Sequence, residues 1–273
     1  MKILLLDAMN LIHRARCGFA KGEHAIVYSF FRSLKPIILK FKPDIAYFVL
    51  EGKPKHRKEL LSEYKSNRKT QPSSFWRQQK EIVEILSMMP IKVIKHPDYE
   101  CDDVIANLAK LYGEDDSNNV CIVSTDTDFI QVWDTLSSDN VSLYNPVKKK
   151  FVDNPDYSYL DWKALRGDPS DNISGVPGIG DKTATKIMYD VSLREKTLEN
   201  ANKKEIFERN KSLIKFHWFA TLSSNLSNEG CLMNPQDINL DMVKHRFELY
   251  GFKSMIVDKY WNGFEETFRS VMF

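Results

Sequence analysis

An α/β fold is predicted, with a central, mainly parallel sheet flanked by helices and a carboxyl-terminal part that is all helical. Three observations predict it. Short apolar runs rich in β-branched residues alternate with stretches of helical spacing, the pattern of a parallel α/β sheet. Several of those runs stop on acids: Asp7 after KILLL, Glu51 after DIAYFVL, and Asp126 with Asp128 after VCIV. Beyond about residue 190 the chain is mixed-charge with helical spacing, and Pro235 is its main breaker.

In order, residues 2–6 form the first strand and residues 10–20 a helix-like stretch. Residues 26–41 form a longer helix with apolar positions Ile26, Phe30, Leu34 and Ile37/Ile38. Residues 44–50 are the second strand, 81–87 a helix and 91–95 a strand, and Glu100-Cys101-Asp102-Asp103 opens the helix VIANLAKLY. The run from Val120 is apolar throughout, as in a strand buried on both faces. A shorter strand, VSLYN, starts at Val141, and residues 153–166 are mostly helix or turn. Residues 167–186 concentrate Gly, Pro, Ser and Asp in tight-turn combinations before a helix resumes at Thr183.

With 273 residues, 42% of them hydrophobic, the chain can bury a sizeable core. No apolar run approaches the roughly 20 residues of a membrane span, and Asp7 cuts ILLL short, so neither a span nor a signal peptide is expected. Cys17, Cys101, Cys121 and Cys231 form no CxxC pair and have no histidines at zinc spacing. They read as reduced thiols of a cytosolic compartment. The net charge of +2 says little, but the two signs are segregated along the chain.

If the strands are parallel, their acidic ends share one edge of the sheet, where open α/β folds bind ligands. Glu100, Asp102 and Asp103 sit at a strand-to-helix junction facing the same edge, and Glu100 and Asp103 at i, i+3 share one face of the first turn. Alone, that string reads as a helix cap with acids at the positive end of the helix dipole. Together with Asp7, Glu51, Asp126 and Asp128, the acids would repel and raise one another's pKa unless a cation neutralised them. Oxygen-only ligation points to Mg²⁺ or Mn²⁺ rather than zinc. A cluster this rich can hold two ions, which about 3.5–4 Å apart clamp the attacking and leaving oxygens of phosphodiester hydrolysis.

Residues 52–80 carry nine Lys/Arg against Glu59 and Glu63, an excess of seven positive charges. Such a run is either a solvated loop or, with Tyr64, Phe75 and Trp76 interleaved, a guide for single strands on which bases stack. It begins beside Glu51, so a polyanion drawn to it is delivered to the acids. The string GVPGIGDKTA reads as a hairpin between two helices, with Gly175, Gly178 and Gly180 taking backbone conformations closed to other residues. Its N–H groups, with the helix start at Asp181–Thr183 and the charge of Lys182, make a phosphate cradle. The bland alternative is a plain loop with a helix cap. The full string matches the helix–hairpin–helix module, which grips a DNA backbone without reading sequence. Asp168 and Asp171 either cap its first turn or reach the acidic edge.

The strings LLLDAMNLIHRA, YKSNR, ECDD, STDTDFIQV and GDPSDNISGVPGIGDKTA follow one another over residues 3 to about 187. In that order they resemble the 5′-nuclease superfamily, the flap endonucleases and 5′→3′ exonucleases of PIN-like fold. The chain looks most similar to the short phage and bacterial stand-alone members and to the 5′-nuclease domain of bacterial DNA polymerase I. The resemblance implies a catalytic domain over 1–160, with 52–80 as its arch, and a helical region over 161–273 carrying the helix–hairpin–helix at 167–190. It implies that Asp7, Glu51, Glu100 and Asp102 hold a first metal, and that Asp103, Asp126, Asp128, Asp168 and Asp171 hold or support a second. Lys65 and Arg68 would lie at the base of the arch and reach the scissile phosphate. Gly175, Gly178, Gly180, Lys182 and Thr183 would bind duplex DNA, helped in relatives by a monovalent cation, K⁺.

Two departures stand out. Leu50-Glu51-Gly52 replaces the family's usual FDG string, and Cys101 stands where alanine is usual in ECDD. The longer Glu51 is expected to be accommodated by a strand ending slightly further back, with Gly52 leaving the backbone free to adjust. The reading is a metal-dependent 5′-nuclease, a monomer of the cytoplasm, acting on flapped, nicked or 5′-ended DNA and on RNA–DNA hybrids, with no membrane partner. Its rivals are a non-catalytic DNA-binding accessory protein of the same fold and a PIN-type ribonuclease, against which the hairpin counts.

Overall fold

The computed structural model describes residues 1–136, 139–219 and 237–271. The first half runs β1 (Lys2–Asp7), α1 (Ala8–Arg16), α2 (Ala25–Phe41), β2 (Ile45–Leu50), α3 (Lys55–Leu60) and α4 (Ser73–Leu86). Next come β3 (Lys92–Lys95), α5 (Cys101–Gly113), β4 (Asn119–Val123), a 3₁₀ turn at Thr127–Gln131, α6 (Val132–Thr135), β5 (Val141–Asn145) and β6 (Lys150–Phe151). The second half opens with α7 (Tyr159–Arg166) and a small ribbon of β7 (Gly167–Asp168) and β8 (Ile173–Ser174). It continues through α8 (Asp181–Tyr189), α9 (Val191–Leu198), α10 (Ala201–Ile214), α11 (Leu240–Leu249), α12 (Lys253–Ile256) and α13 (Asp258–Arg269).

The sheet order is β3-β2-β1-β4-β5-β6, parallel except for the edge strand β6. The chain steps outward from β1 through β2 to β3, then crosses to the other side of β1 to lay down β4. The direction of winding therefore reverses between β1 and β4, and the crevice outside their carboxyl ends is the switch point at which such sheets bind ligands. Asp7 ends β1 and Ser124 follows β4, so both stand at that crevice.

Each strand residue serves one of two cores, because strand side chains alternate between faces. Leu4 and Leu6 pack with α1, α2 and α4, while Ile3 and Leu5 pack with α5 and the turn at Phe129. That two-sided burial is why the strands read as unbroken apolar runs.

The fold class is as predicted, with corrections in detail. Helix α4 begins at Ser73, well before residue 81, because Phe75, Ile82, Ile85 and Leu86 form one buried stripe under the basic surface. The carboxyl-terminal part is not wholly helical, since it contains the β7–β8 ribbon. Its helices also pack in two places. Ala164, Val176, Ile179, Ala184, Ile187 and Phe207 make a small core around α7, α8 and α10. In contrast, Phe247, Trp261, Phe264 and Phe268 of α11 and α13 join the core of α2 in the first half, with Phe31 and Phe247 rings 5.2 Å apart. Cys231 and Pro235 lie outside the described residues. Among the described residues no helix is long and apolar enough to cross a membrane.

Candidate metal centre and active site

The ends of β1 and β4 are stitched together by short polar side chains. Asp7 caps α1, accepting the Asn10 amide at 3.0 Å, and its other oxygen accepts the Ser124 hydroxyl at 2.7 Å. The Asn10 side chain accepts the Thr125 amide at 3.1 Å and donates to the Thr125 hydroxyl at 2.6 Å. Asp126 caps the 3₁₀ turn by accepting the Asp128 amide at 2.9 Å. These caps fix two aspartates, Asp7 and Asp126, at the crevice without using up their charge.

Glu51 follows β2 and accepts the Cys101 amide at 3.2 Å. Gly52 is wedged rather than free to adjust, contrary to expectation. A Cβ there would lie 2.1 Å from the carbonyl oxygens of both His96 and Tyr99. The close backbone approach demands glycine and fixes where Glu51 emerges. Donor atoms of Asp7, Cys101 and Asp102 lie within 4.8 Å of one another. Burial pushes the Cys101 thiol well up, and its Sγ lies 3.3 Å from the Val49 carbonyl oxygen. It is a packed thiol rather than a partner for a hard cation.

The acids divide into two sets by their counter-charges. Asp7, Asp102 and Asp126 have no basic side chain at ion-pair distance among the described residues, and Glu51 has only Lys65 at 3.9 Å. Burial pushes Asp7 up to about 6, against the pull of the Asn10 and Ser124 hydrogen bonds. Enclosure raises Glu51 to about 7 despite Lys65. Burial, then the charges of Asp126 and Glu51, push Asp102 well above the ordinary Asp value. These four line one groove of about 720 Å³, with Lys65 and Arg68 on its edge.

The remaining acids are matched. Arg57, itself buried, bonds Glu100 at 2.6 Å and both oxygens of Asp103 at 2.6 and 2.7 Å. Tyr64 donates to Glu100 at 3.0 Å and Asp171 at 3.1 Å, and Lys65 pairs with Glu100. Burial alone would raise Glu100, but Lys65 and Arg57 outweigh it and hold the group below its ordinary value. Lys163 bridges Asp128 and Asp168, 2.7 Å from the latter, and Arg68 pairs with Asp171. Burial and Asp126 raise Asp128 to about 7 even so, whereas Lys163 overcomes burial at Asp168 and lowers it. Asp126, Asp128, Asp168 and Asp171 line a cleft of about 330 Å³.

The structure thus gathers Asp7, Glu51, Asp102 and Asp126 in one groove and Asp128, Asp168 and Asp171 in the cleft, with Asp102 and Asp126 lining both. Glu100 and Asp103 stand apart, both buried. Asp103 was expected to support a second metal, but it faces Arg57 and the His217 amide (2.8 Å) and lines neither groove nor cleft. Of the two alternatives for Asp168, its side chain caps the short turn at Ser170 (2.8 Å), ahead of the glycine string, and it also lines the cleft.

The basic segment is folded, not a solvated loop. Lys65 takes a left-handed conformation (φ 57°), with its amide on the Asp171 carbonyl at 3.0 Å, and Asn67 donates to the Pro169 carbonyl at 2.7 Å. Those bonds pin the loop onto the GDPSDN turn. Tyr64 and Phe75 are buried and offer no stacking face, while Trp76 is 46% exposed and lines the groove. Arg57, Tyr64 and Lys163 were not singled out from sequence as partners of the acids. Arg57 was one of nine basic residues in its run, and nothing in the spacing marks Lys163.

The glycine string turns between α7 and α8, but the ribbon intervenes before it. Gly178 has a φ of 81°, and Gly175 presses against the Arg166 carbonyl, 2.1 Å from where a Cβ would stand. Gly180 needs neither allowance: its φ is −104° and nothing lies within 4 Å, so it serves only as the N-cap of α8. No side chain caps α8, and Lys182 and Thr183 are exposed on its first turn.

Residues 2–160 match the family described as 5'-3' exonuclease, N-terminal resolvase-like domain, and residues 155–245 match 5'-3' exonuclease, C-terminal SAM fold. Thermostable DNA polymerase I of Thermus aquaticus is 33% identical over 277 residues, 93% of this chain and 32% of the polymerase. The chain spans only about a third of that relative's length. A 5'-3' exonuclease of Aquifex aeolicus is 32% identical over 288 residues, covering 95% of this chain and 96% of its own. Among solved structures, bacteriophage T5 flap endonuclease, in a pseudo-enzyme-product complex with DNA and metal ions, superposes with a TM-score of 0.63 at 21% identity. That match covers 98% of this chain and all of the T5 protein, and T5 5'-exonuclease bound to zinc gives 0.64 at 24% identity over 78% and 89%. At those identities the likeness is one of fold. With more than half its length matched by the first domain and near-complete coverage by the Aquifex relative, the chain belongs to the 5'-3' exonuclease family.

Proposed function

We propose that this chain is a divalent-metal-dependent nuclease that hydrolyses phosphodiester bonds at 5′ ends and flaps of nicked or branched DNA, and of RNA–DNA hybrids, in primer removal or repair. The observation that carries the reading is the groove where Asp7, Asp102 and Asp126 meet without a basic partner beside Lys65 and Arg68. Divalent cations fit the donor set there, because the available groups are carboxylate oxygens, and burial raises Asp7 and Asp102 with no basic side chain at ion-pair distance to offset it. Asp7, Glu51 and Asp102, backed by Glu100, would hold one ion. Asp126, Asp128, Asp168 and Asp171 would hold the second. When bound, Mg²⁺ or Mn²⁺ supplies charge stabilisation at the phosphate and activates water at neutral pH.

The chain's own residues do the rest. Lys65 and Arg68 bind the reacting phosphate from the rim and neutralise charge that develops on it. Lys163 holds Asp168, and Lys65 with Arg57 holds Glu100, below the ordinary carboxyl value. The hairpin with Gly175, Gly178, Gly180, Lys182 and Thr183 holds the duplex backbone through exposed amides, with K⁺ as a helper. Residues 1–160 form the catalytic domain, and 161–273 the helical region that binds the duplex and lends Asp168 and Asp171 to the second ion; the protein works as a cytoplasmic monomer. The DNA and metal ions in the T5 relative's crystals support substrate and cofactor class. A labelled 5′-flap duplex incubated with Mg²⁺ and with EDTA tests the reading. Short 5′ products in Mg²⁺ alone are expected; no products in either condition, or equal cleavage in EDTA, would contradict it.

A further inference from the structure

Behind the acidic rim lies a second pocket, of about 280 Å³, that none of these roles uses. Arg57 and Phe216 form the wall it shares with the small cleft at Asp102 and Asp128. Beyond that wall the lining is aromatic. Tyr99 and His217 stack at 4.5 Å and 22°, His56 lies 5.7 Å from His217, and Tyr99 lies 4.6 Å from Phe219. Trp218 adds a further ring, with the Lys110 ammonium 5.5 Å from its centroid. His56 is exposed, and Tyr99, His217 and Trp218 are partly so.

The rings of Phe216, His217, Trp218 and Phe219 ride on one strap of chain. The amides of Phe216, His217 and Phe219 are held by Gln131 at 3.1 Å, Asp103 at 2.8 Å and Asn107 at 2.9 Å, and Asn107 also donates to the His217 carbonyl at 2.7 Å. A strap fixed by four side-chain hydrogen bonds preorganises its ring faces. A purely structural edge would be expected to carry apolar rings, whereas two histidines line this pocket.

The surrounding charge is positive. Lys53, Lys55 and Lys58 stand exposed at and around α3, and Lys215 is exposed on the pocket's other side. Its acids, Asp98 and Asp103, are paired with Lys55 and Arg57. Rings with interleaved cations suit a single strand, in which bases stack and phosphates meet lysines. The pocket also adjoins the substrate path, because α3 opens the basic segment whose middle places Lys65 and Arg68 at the edge of the acidic groove.

We propose that this pocket binds the unpaired 5′ tail of the substrate, stacking a base against the His217–Trp218 strap while Lys215 and α3 hold its phosphates. The proposal rests on the 5′-nuclease reading and names the part of the substrate that it leaves unplaced. The test uses two labelled duplexes, one nicked without a tail and one with a short 5′ tail carrying 2-aminopurine, bound in Ca²⁺ and then cleaved in Mg²⁺. Parent protein should bind the tailed duplex about tenfold more tightly and quench the 2-aminopurine. His217→Ala, Trp218→Leu and Lys215→Gln should each lose much of that preference, and the two ring variants the quenching. All three should cut the nicked duplex at the parent's rate, which also controls for folding. Absence of tail preference in the parent, or its retention in all three variants, would overturn the tail site. A parent that cuts neither duplex would instead overturn the nuclease reading beneath it.

Discussion

The Arg57 guanidinium grips Asp103 through two parallel bonds, Nη1 to Oδ2 at 2.6 Å and Nη2 to Oδ1 at 2.7 Å. Two adjacent aspartates at the start of α5 thereby receive opposite assignments: Asp103 faces a buried cation, and Asp102 faces the groove without one. Replacing Arg57 by Met leaves Asp103 buried without a cation and Glu100 with Lys65 and Tyr64 alone, and should cost about 3–5 kcal/mol in urea unfolding. Asp103→Asn should change Mn²⁺ affinity by less than about threefold, while Asp102→Asn should weaken it by more than about tenfold. Equal losses in a calorimetric titration would return Asp103 to the metal set.

Stability should depend on pH in a definite direction. Asp7 at about 6, and Glu51 and Asp128 at about 7, bind protons more tightly folded than unfolded. Their contribution is full below the ordinary carboxyl value near 4 and is lost as pH rises through 6 to 7, at about 1.4 kcal/mol per pH unit for each proton released. Glu100 and Asp168 are shifted the opposite way, so their contribution is lost only below pH 4. Metal-free protein should therefore melt at a lower temperature at pH 8 than at pH 5, and Mg²⁺ should raise the melting temperature more at pH 8. A metal-free melting temperature that climbs over this range would count against the uncompensated groove.

Glu51 tests the metal geometry from another side. Because Gly52 is wedged against two carbonyls, the strand end cannot shift to accommodate a shorter side chain. Glu51→Gln should severely impair cleavage in Mg²⁺, and Glu51→Asp should remain active but need more Mg²⁺ or prefer Mn²⁺. Unaltered cleavage by Glu51→Gln in limiting Mg²⁺ would remove it from the ligands. Gly52→Ala should destabilise the fold by about 1–3 kcal/mol.

The basic residues should separate by role. Lys65→Ala and Arg68→Ala should reduce turnover far more than duplex affinity. Lys182→Ala should weaken duplex binding about equally for all sequences and flatten its salt dependence by roughly one unit of slope. Binding isotherms over a salt series, beside single-turnover rates, distinguish the outcomes; equal binding losses in all three variants would reduce the rim to general electrostatics.

Much of this was legible in the chain, for identifiable reasons. Two-sided burial writes itself as unbroken apolar runs, so β1, β2 and β4 and their acidic ends could be read directly. The topology then had to put those ends together, which parallel pairing does. Helix α4 was partly hidden because its exposed face is basic and its buried stripe begins inside the charged run. Partners of the acids were invisible for a different reason. Lys163 meets Asp128, 35 residues away, and Arg57 meets Glu100 and Asp103, 43 and 46 away, and a lysine or arginine on a helix carries no local mark of burial. Gly52 and Gly180 show the same limit, since one is required by a backbone contact made across the fold and the other by none.

The central claim is that the acids at the β1–β4 switch point hold divalent cations for phosphodiester hydrolysis. Calorimetric titration of Mn²⁺ into the parent and into Asp102→Asn tests it most directly, since Asp102 lies in the groove without a counter-ion and outside the turn-capping bonds. The account predicts two bound ions in the parent, loss of one in Asp102→Asn, and a variant as stable as the metal-free parent or more so. A parent that binds no Mn²⁺, or an Asp102→Asn that titrates like the parent, would contradict it.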